Sequence, residues 1–470
     1  KVAGVIITVR KLPYIVTLLL LSGCASYYQR NMEFQKLVAD GDLEKAEAKL
    51  SHDKRMQKDR NRLLFLMNMG FVNHMQQEYA VSNMYLNEAD LLIEDYKKSY
   101  GAEALALVSN PEVKPYRAED FESIMIHYYK SVNFLKLTDY EASIVEAKRM
   151  NLVLNRLNDK YKDHKNRYQA DAFAHILMGL SYEASGKIND AFTAYRNAVE
   201  VYRGEHGYFD IPVPNQLKTD LLRTAYILGF GNELQFYERE LATTYQHQPT
   251  PFGEAVVIWQ NGMGPVKDEM SFNFIAVAGS GGYVIFENEQ LGLTFPFYVG
   301  DDKQKRDDLL ALNVVRVAFP KYLERPTYYT NASVAANGKE YKLELAQDIN
   351  SIAFKTLNDR FIREMGISLL RLGLKKVAEV KLGQENAALG AAAAITNALS
   401  EKADTRNWQT LPHSIYYTRI LLKEGNNALK LNMKNKRNTT DYTTFEVKGD
   451  ERVRLHFLPY HSIEHLPVAP

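Results

Sequence analysis

The sequence predicts an α+β multidomain chain: an irregular α-solenoid of helical hairpins, then a β-rich, sandwich-like domain that carries a helical insertion. Three observations carry this prediction. From about residue 30 to residue 245 prolines are few, and Leu, Ala, Glu, Lys and Tyr set apolar side chains at helical spacing. Pro249, Pro251 and Gly253 then mark a change of composition, after which short strand-like runs bounded by turn residues dominate. A length of 470 residues, 46% hydrophobic and 24% charged, is that of an ordinary globular chain, which excludes disorder, collagen and a many-span membrane protein. The net charge of +1 supplies no overall field to draw the chain to nucleic acid. A single cysteine leaves no disulfide within the chain and no thiolate metal cluster.

That cysteine lies at the amino terminus. Lys1, Arg10 and Lys11 precede the apolar run Leu12 to Leu21, and small residues follow it, the pattern of a signal peptide. The run has ten residues, about half of the ~20 needed to span a bilayer as a helix. Leu21, Ser22, Gly23 and Cys24 resemble the lipobox of bacterial lipoproteins. The resemblance implies that residues 1–23 are removed, that Cys24 is acylated, and that residues 24–29 form a lipidated tether. Ala25 after the cysteine implies sorting to the outer membrane, with the domain facing the periplasm. Acyl chains bury about 0.8 kcal/mol per methylene and hold such a domain at a membrane surface. Loss of residues 1–23 removes Lys1, Arg10 and Lys11, leaving 55 basic against 57 acidic residues and no electrostatic patch to assist the anchor.

Residues 30–248 read as the helical repeat domain. In 175–200, Gly179, Tyr182, Gly186, Ala191, Tyr195 and Ala198 stand at offsets 0, 3, 7, 12, 16 and 19, the small–large pattern of a tetratricopeptide repeat (TPR). Antiparallel helices approach closely where Gly and Ala occupy the crossing, and large aromatics fill the space against the next hairpin. Weaker copies place turns near residues 41, 77 and 138 besides 186, spaced by 36, 61 and 48 residues rather than a constant ~34. The array is therefore irregular, interrupted by a loop around Asn110-Pro111 and Lys114-Pro115. Tyr128, Tyr129, Tyr161 and Tyr168 read as packing residues. Such solenoids commonly hold partners on a concave face, so that face is the expected docking surface.

Residues 249–470 read as the β-rich domain. Strands are expected at Ala255 to Trp259, Gly282 to Phe286, Val314 to Phe319, Thr327 to Val334 and Lys339 to Leu345, with Asn337-Gly338 as a hairpin turn. A helical insertion over about 349–400 follows, ending in the Ala-rich stretch 387–398, which is expected to be buried helix. Strands resume at His413 to Leu422, Ala428 to Met433, Thr443 to Val447 and Val453 to Leu458.

Chemical motifs are sparse. Gly279-Ser280-Gly281-Gly282 lacks the Lys-Ser/Thr of a P-loop and the flanking glycines of a nucleophile elbow, and reads as a turn. His456, His461 and His465 are too loosely spaced for a metal site. No metal, cofactor or catalytic residue is expected. Three stretches look constrained: Glu141 to Met150, where Glu146 and Arg149 face each other on a solvated helix; Asn261 to Lys267, with two glycines and a proline; and Ala403 to Pro412. In the last, Asp404, Arg406 and Trp408 suggest an ion pair with the indole beneath the guanidinium. Lys267, Asp404, Arg406 and Trp408 are the candidate recognition corner.

With the lipobox and the irregular repeats, these three stretches resemble an uncharacterised family of Gram-negative lipoproteins with a TPR-like amino half and a β-rich carboxyl half. In some of its members the neighbouring genes look like those for lipoproteins that activate peptidoglycan synthases. The resemblance implies location and architecture, and no catalytic residue. The function expected from all of this is a non-enzymatic, lipid-anchored scaffold that docks a periplasmic or outer-membrane protein. The alternative is a glycan-binding or cell-wall-modifying protein that acts through the β domain, with Trp408 stacking on a sugar.

Overall fold

The structure, a computed structural model, describes residues 27–98, 114–160, 170–204, 209–385 and 402–463. Ten helices form five hairpins: α1 (Tyr27–Ala39) with α2 (Leu43–His52), α3 (Arg62–Met75) with α4 (Tyr79–Lys98), α5 (Asp120–Lys136) with α6 (Tyr140–Lys160), α7 (Ala172–Ala184) with α8 (Ile188–Tyr202), and α9 (Asn215–Ile227) with α10 (Gly231–Glu240). Each turn is closed by one residue in the left-handed region: Gly41 (φ 76°), Gln77 (65°), Thr138 (59°), Gly186 (77°) and Gly229 (71°). This residue reverses the chain after the first helix and lets its last carbonyls find partners, as in the bond from Lys187 N to Tyr182 O at 2.8 Å. The amino half is thus a TPR-like helical repeat, with one more hairpin, 215–240, than the four turns read from the sequence. The lipobox with Cys24, and Tyr161 and Tyr168, lie outside the described residues. Tyr27 and Tyr28, expected in the tether, are already helical and buried.

The β-rich half holds three sheets of four strands each. The first orders β12 (Leu455–Ser462), β1 (Glu254–Asn261), β9 (Ser414–Leu421) and β8 (Glu344–Asp348); β12 is parallel to β1 and the other neighbours are antiparallel. The second orders β11 (Thr440–Gly449), β10 (Gly425–Asn435), β6 (Tyr329–Ala336) and β7 (Lys339–Lys342). The third orders β4 (Leu293–Tyr298), β3 (Tyr283–Asn288), β2 (Val266–Ala278) and β5 (Val314–Leu323), with α11 (Lys303–Leu310) before β5. The helical insertion is α12, Ile349–Glu385, whose Phe361 packs on Phe319 and Phe272 of the third sheet. Its Ala-rich continuation lies outside the described residues. No described helix is long and apolar enough to cross a membrane.

The first sheet explains the architecture. Every residue of β1 is buried, because the strand is covered on both faces. Ala255, Val257 and Trp259 point into one core with Val334, Leu429 and Leu431 of the second sheet, which makes the sandwich. Val256 and Ile258 point into the other core, shared with the helices. Two strands escape sequence reading. β4 carries Pro296, which an edge strand tolerates because no ladder bond is lost. β2 begins with the polar run Lys267 to Glu269 and does not alternate cleanly.

Candidate functional site

The first helix of each hairpin faces the chain's own first sheet and the loop 402–413. On α1, the Gln35 amide donates to Gln409 Oε1 at 2.5 Å, and the Thr410 hydroxyl donates to Asn68 Oδ1 of α3 at 3.0 Å. Tyr128 on α5 accepts from the Gln260 amide at 2.6 Å. Asp171, the N-cap of α7, accepts from the Gln347 amide at 2.8 Å, and the Tyr202 hydroxyl of α8 donates to Ala346 O at 2.6 Å. The inner face of the repeat, expected to be open for a partner, is therefore closed by strands of the same chain. Apolar burial does most of this: residues 63–74 of α3 are all buried, whereas α10, an outer helix, buries none.

An ionic cluster lies at the centre of the seam. Glu183 of α7 receives both Arg223 of α9 and Arg419 of β9 at 2.5 Å, together with the Tyr195 hydroxyl at 2.6 Å. Arg419 also reaches Asp220 at 3.0 Å and Glu254 of β1 at 2.9 Å. The two guanidiniums hold Glu183 down at about 2 against the cost of burial. Burial wins at Asp220, whose carboxyl is pushed up. Three acids and two guanidiniums meet here, and their geometry is that of a clasp between helices and sheet.

The six repeat residues sit on the hairpin that carries this clasp. Tyr195 lies against Gly179 and is fully buried, so that a Cβ at Gly179 would run into its ring. Gly186 makes the turn, Ala191 and Ala198 are completely enclosed, and Tyr182 is 8% exposed with the Lys148 ammonium over its ring. Glu146 is not on a solvated face. It is buried, pairs with Lys130 at 2.9 Å and His127 at 2.8 Å, and lies 4.0 Å from Arg149.

The other two constrained stretches meet in one corner. Gly264 N donates to Leu411 O at 2.6 Å, Asn407 bonds Pro265 O at 2.8 Å, and the buried Arg325 donates to Gly264 O at 2.7 Å and to Gln409 O. No carboxylate among the described residues pairs with it, and burial pushes the Arg325 guanidinium down to about 9. Asp404 pairs with Arg406 at 2.7 Å, and Arg406 also donates to Arg60 O at 2.6 Å and Lys114 O at 3.1 Å. Tyr116, rather than Trp408, lies against that guanidinium. Trp408 turns inward onto Tyr129 and is 1% exposed, so its indole offers no surface to a sugar. Its backbone N–H donates to Glu122 at 2.7 Å. Glu122 also accepts from Tyr116 at 2.5 Å and from Glu119 N at 2.9 Å, yet burial and the neighbouring Glu119 push its carboxyl up to about 7.

Lys267 Nζ and Arg360 of α12 both bind Glu119, holding it at about 2. Lys267 and Asp404 border a cavity of about 750 Å³ between the second and third hairpins, β5 and α12. Arg406 borders a separate, smaller one beside Tyr27, so the four corner residues do not surround one groove. His456 is half-buried, His461 donates its Nε2–H to Gly262 O at 2.7 Å, and His465 lies outside the described residues. No His, Cys, Asp or Glu group among the described residues could hold a metal ion. The partners of the clasp and of Glu119 are far apart in sequence, and no local motif signals them.

Fold and seam together define a TPR-like helical repeat closed onto a β sandwich. No family model matches the chain, and no curated protein matches it. Among solved structures it is similar to MamA (residues 41 to the end) from Desulfovibrio magneticus RS-1, at 16% identity over 45% of this chain and 90% of that one, TM-score 0.28. It is also similar to a Podosopora anserina kinesin light chain protein with TPR-like repeats, at 13% identity over 46% and 88%, TM-score 0.29. A third is BtubC from P. vanneervenii, at 14% identity over 51% and 89%, TM-score 0.29. Similarity at this level carries no argument about function, and the repeat assignment stands on the hairpins themselves.

Proposed function

We propose that the protein is a non-enzymatic scaffold of the bacterial cell envelope, anchored through acyl chains on Cys24 to the periplasmic side of the outer membrane. Its partner protein docks on the outward face of the second and third hairpins. One observation carries the reading. Met84 and Leu91 on α4 and Val145 and Leu152 on α6 are 50%, 67%, 53% and 52% exposed. Each pair is seven residues apart and so shares one helix face. Long side chains bridge the two helices, Arg149 to Asp90 at 2.7 Å and Arg156 to Glu94 at 3.0 Å. An apolar row rimmed by charge on an otherwise solvated surface is the signature of a docking patch. The closed inner face leaves the outer one to do this work.

An anchor at Cys24 would hold the domain close to the membrane, since only two residues, Ala25 and Ser26, separate it from buried Tyr27, about 10 Å of extended chain. The family resemblance supports a partner in envelope assembly. A photo-crosslinking residue at Leu91 or Leu152, with Glu451 as an exposed control site, tests the reading in intact envelopes. It predicts one defined protein adduct from both hairpin sites, lost in Cys24→Ser and absent from Glu451. Adducts no different from the control would refute it.

A further inference from the structure

We propose that the anchored end of the helical repeat meets an anionic lipid surface through the exposed basic loop 53–61, which joins α2 to α3. The proposal rests on the anchor at Cys24 and adds which face the bilayer meets. Tyr27 opens α1, and its N–H donates to Thr405 Oγ1 at 3.3 Å while its hydroxyl donates to Met56 Sδ, in that loop, at 3.9 Å. Ala25 and Ser26 alone link it to Cys24, so a bilayer that holds Cys24 lies within about 10 Å of Tyr27. That is the scale of the Debye length, about 8 Å at physiological ionic strength, so charges beside Tyr27 feel the lipid. They are mostly positive. Arg30, on the first turn of α1, and Lys54, Arg55, Lys58 and Arg60 of the loop are exposed, against Asp53 and Asp59. Five cations against two acids give a net charge of +3, which pairing within the set, as of Arg55 with Asp53 at 3.0 Å, leaves unchanged. Neighbouring charges cancel in pairs, Arg62 with Glu88 and Arg406 with Asp404.

The hairpins carry the opposite charge at their other end. α2 runs from the turn at Gly41 to the loop, and α3 returns from it to the turn at Gln77, so both turns lie away from the anchor. Asn133, late in α5, donates to Ser82 Oγ at 2.9 Å and Asn83 Oδ1 at 2.8 Å, early in α4, which sets the turn at Thr138 beside that at Gln77. Around these three turns stand six exposed acids: Asp40, Asp42, Glu44, Glu78, Asp139 and Glu141. Lys45 answers Asp42 at 2.8 Å and Lys187 answers Glu141 at 2.6 Å, while Lys136 is turned to Phe457 O. The repeat is therefore positive at its anchored end and negative at its turns. The sum over residues 24–470, 55 basic against 57 acidic, conceals this. An anionic leaflet attracts the near end, and the acids stand at the far end of the helices. Acyl chains would fix the distance of the domain from the membrane, and the basic loop its orientation.

The test is energy transfer from a fluorescent amino acid at Gln57, or at Asp42 for the far end, to acceptor-labelled lipid. The full chain is added to preformed vesicles of neutral phosphatidylcholine, or of phosphatidylcholine mixed with anionic phosphatidylglycerol. The proposal predicts stronger transfer from Gln57 than from Asp42 in the anionic vesicles. This lead should be at least about twofold smaller in neutral vesicles, and equally so in a triple variant Lys54→Gln, Lys58→Gln, Arg60→Gln of unchanged thermal midpoint. The charge-conserving Lys54→Arg, Lys58→Arg, Arg60→Lys variant should keep the full lead. The proposal is overturned if the two sites transfer alike in anionic vesicles, or if the lead is the same in neutral vesicles or in the triple Gln variant. Acylation of Cys24, read from the mass of the intact chain, judges the anchor separately. Where Cys24 carries no lipid, coupling it to a maleimide phospholipid in the same vesicles keeps the loop under the same test.

Discussion

Glu122 shows how a single side chain can set the pH behaviour of the seam. It is completely buried, and its carboxyl is raised from an ordinary 4.5 to about 7. Between those values the folded state keeps a proton that the unfolded state has released. Stability from this group is therefore full at acidic pH and falls as pH rises through about 5 to 7, by roughly 3 kcal/mol in all. His74 and His461 act in the opposite sense: burial lowers them to about 4 and about 3, so they cost stability as pH falls below 6.5. The difference between wild type and Glu122→Gln isolates the carboxyl. Urea denaturation at pH 5 and pH 8 should show the variant losing most of the wild-type decline attributable to Glu122, and an unchanged pH dependence would refute the assignment. None of this is legible in the sequence, where Glu122 is one acid among 57 acidic residues. The same limit misdirected the reading of Trp408. Its spacing from Arg406 allows contact, but the ring is claimed by Tyr129 and a tyrosine from before α5 takes its place.

At the scale of elements, the hairpins were the most legible part of the fold. A two-helix turn requires a left-handed residue, and small residues must stand where helices cross, so both leave marks at fixed offsets. The hairpin 215–240 is harder to read because α10 is only ten residues long and buries no residue fully, Leu234 and Tyr237 packing on the core while partly exposed. Strands buried on both faces, such as β1, announce themselves as apolar runs, whereas β2 and β4 mix polar residues or proline into exposed or edge positions. The crossing of α7 and α8 gives a direct check. Gly179→Ala should lower stability by about 1–3 kcal/mol or more, because the added Cβ meets the ring of Tyr195 and the ring is fixed by its bond to Glu183. Chemical denaturation measures it, and an effect within about 0.5 kcal/mol would show that the crossing is looser than described.

For the molecule as a whole, the central claim is that the repeat's inner face is spent on the chain's own β sheet. Glu183 and Arg419, 236 residues apart, meet there, and so do Glu119 and Lys267, 148 apart. Local patterns predict each half but carry no information about how the halves close on one another, which is why the inner face reads as open in the sequence although the chain's own strands cover it. Closure also couples the halves. Helices and sheet share one apolar core that runs from Tyr27 to Ile463, so opening the inner face exposes that core. The most direct measurement uses the fact that Cys24 is the sole cysteine. In a Cys24→Ser background, Asn68→Cys and Thr410→Cys place thiols at the point where α3 meets the loop before β9, now joined at 3.0 Å. Their labelling by a maleimide should be no faster than global unfolding. Labelling in the native protein at the rate of an exposed thiol, as from a cysteine at Leu91, would contradict the closed inner face and return that surface to a partner.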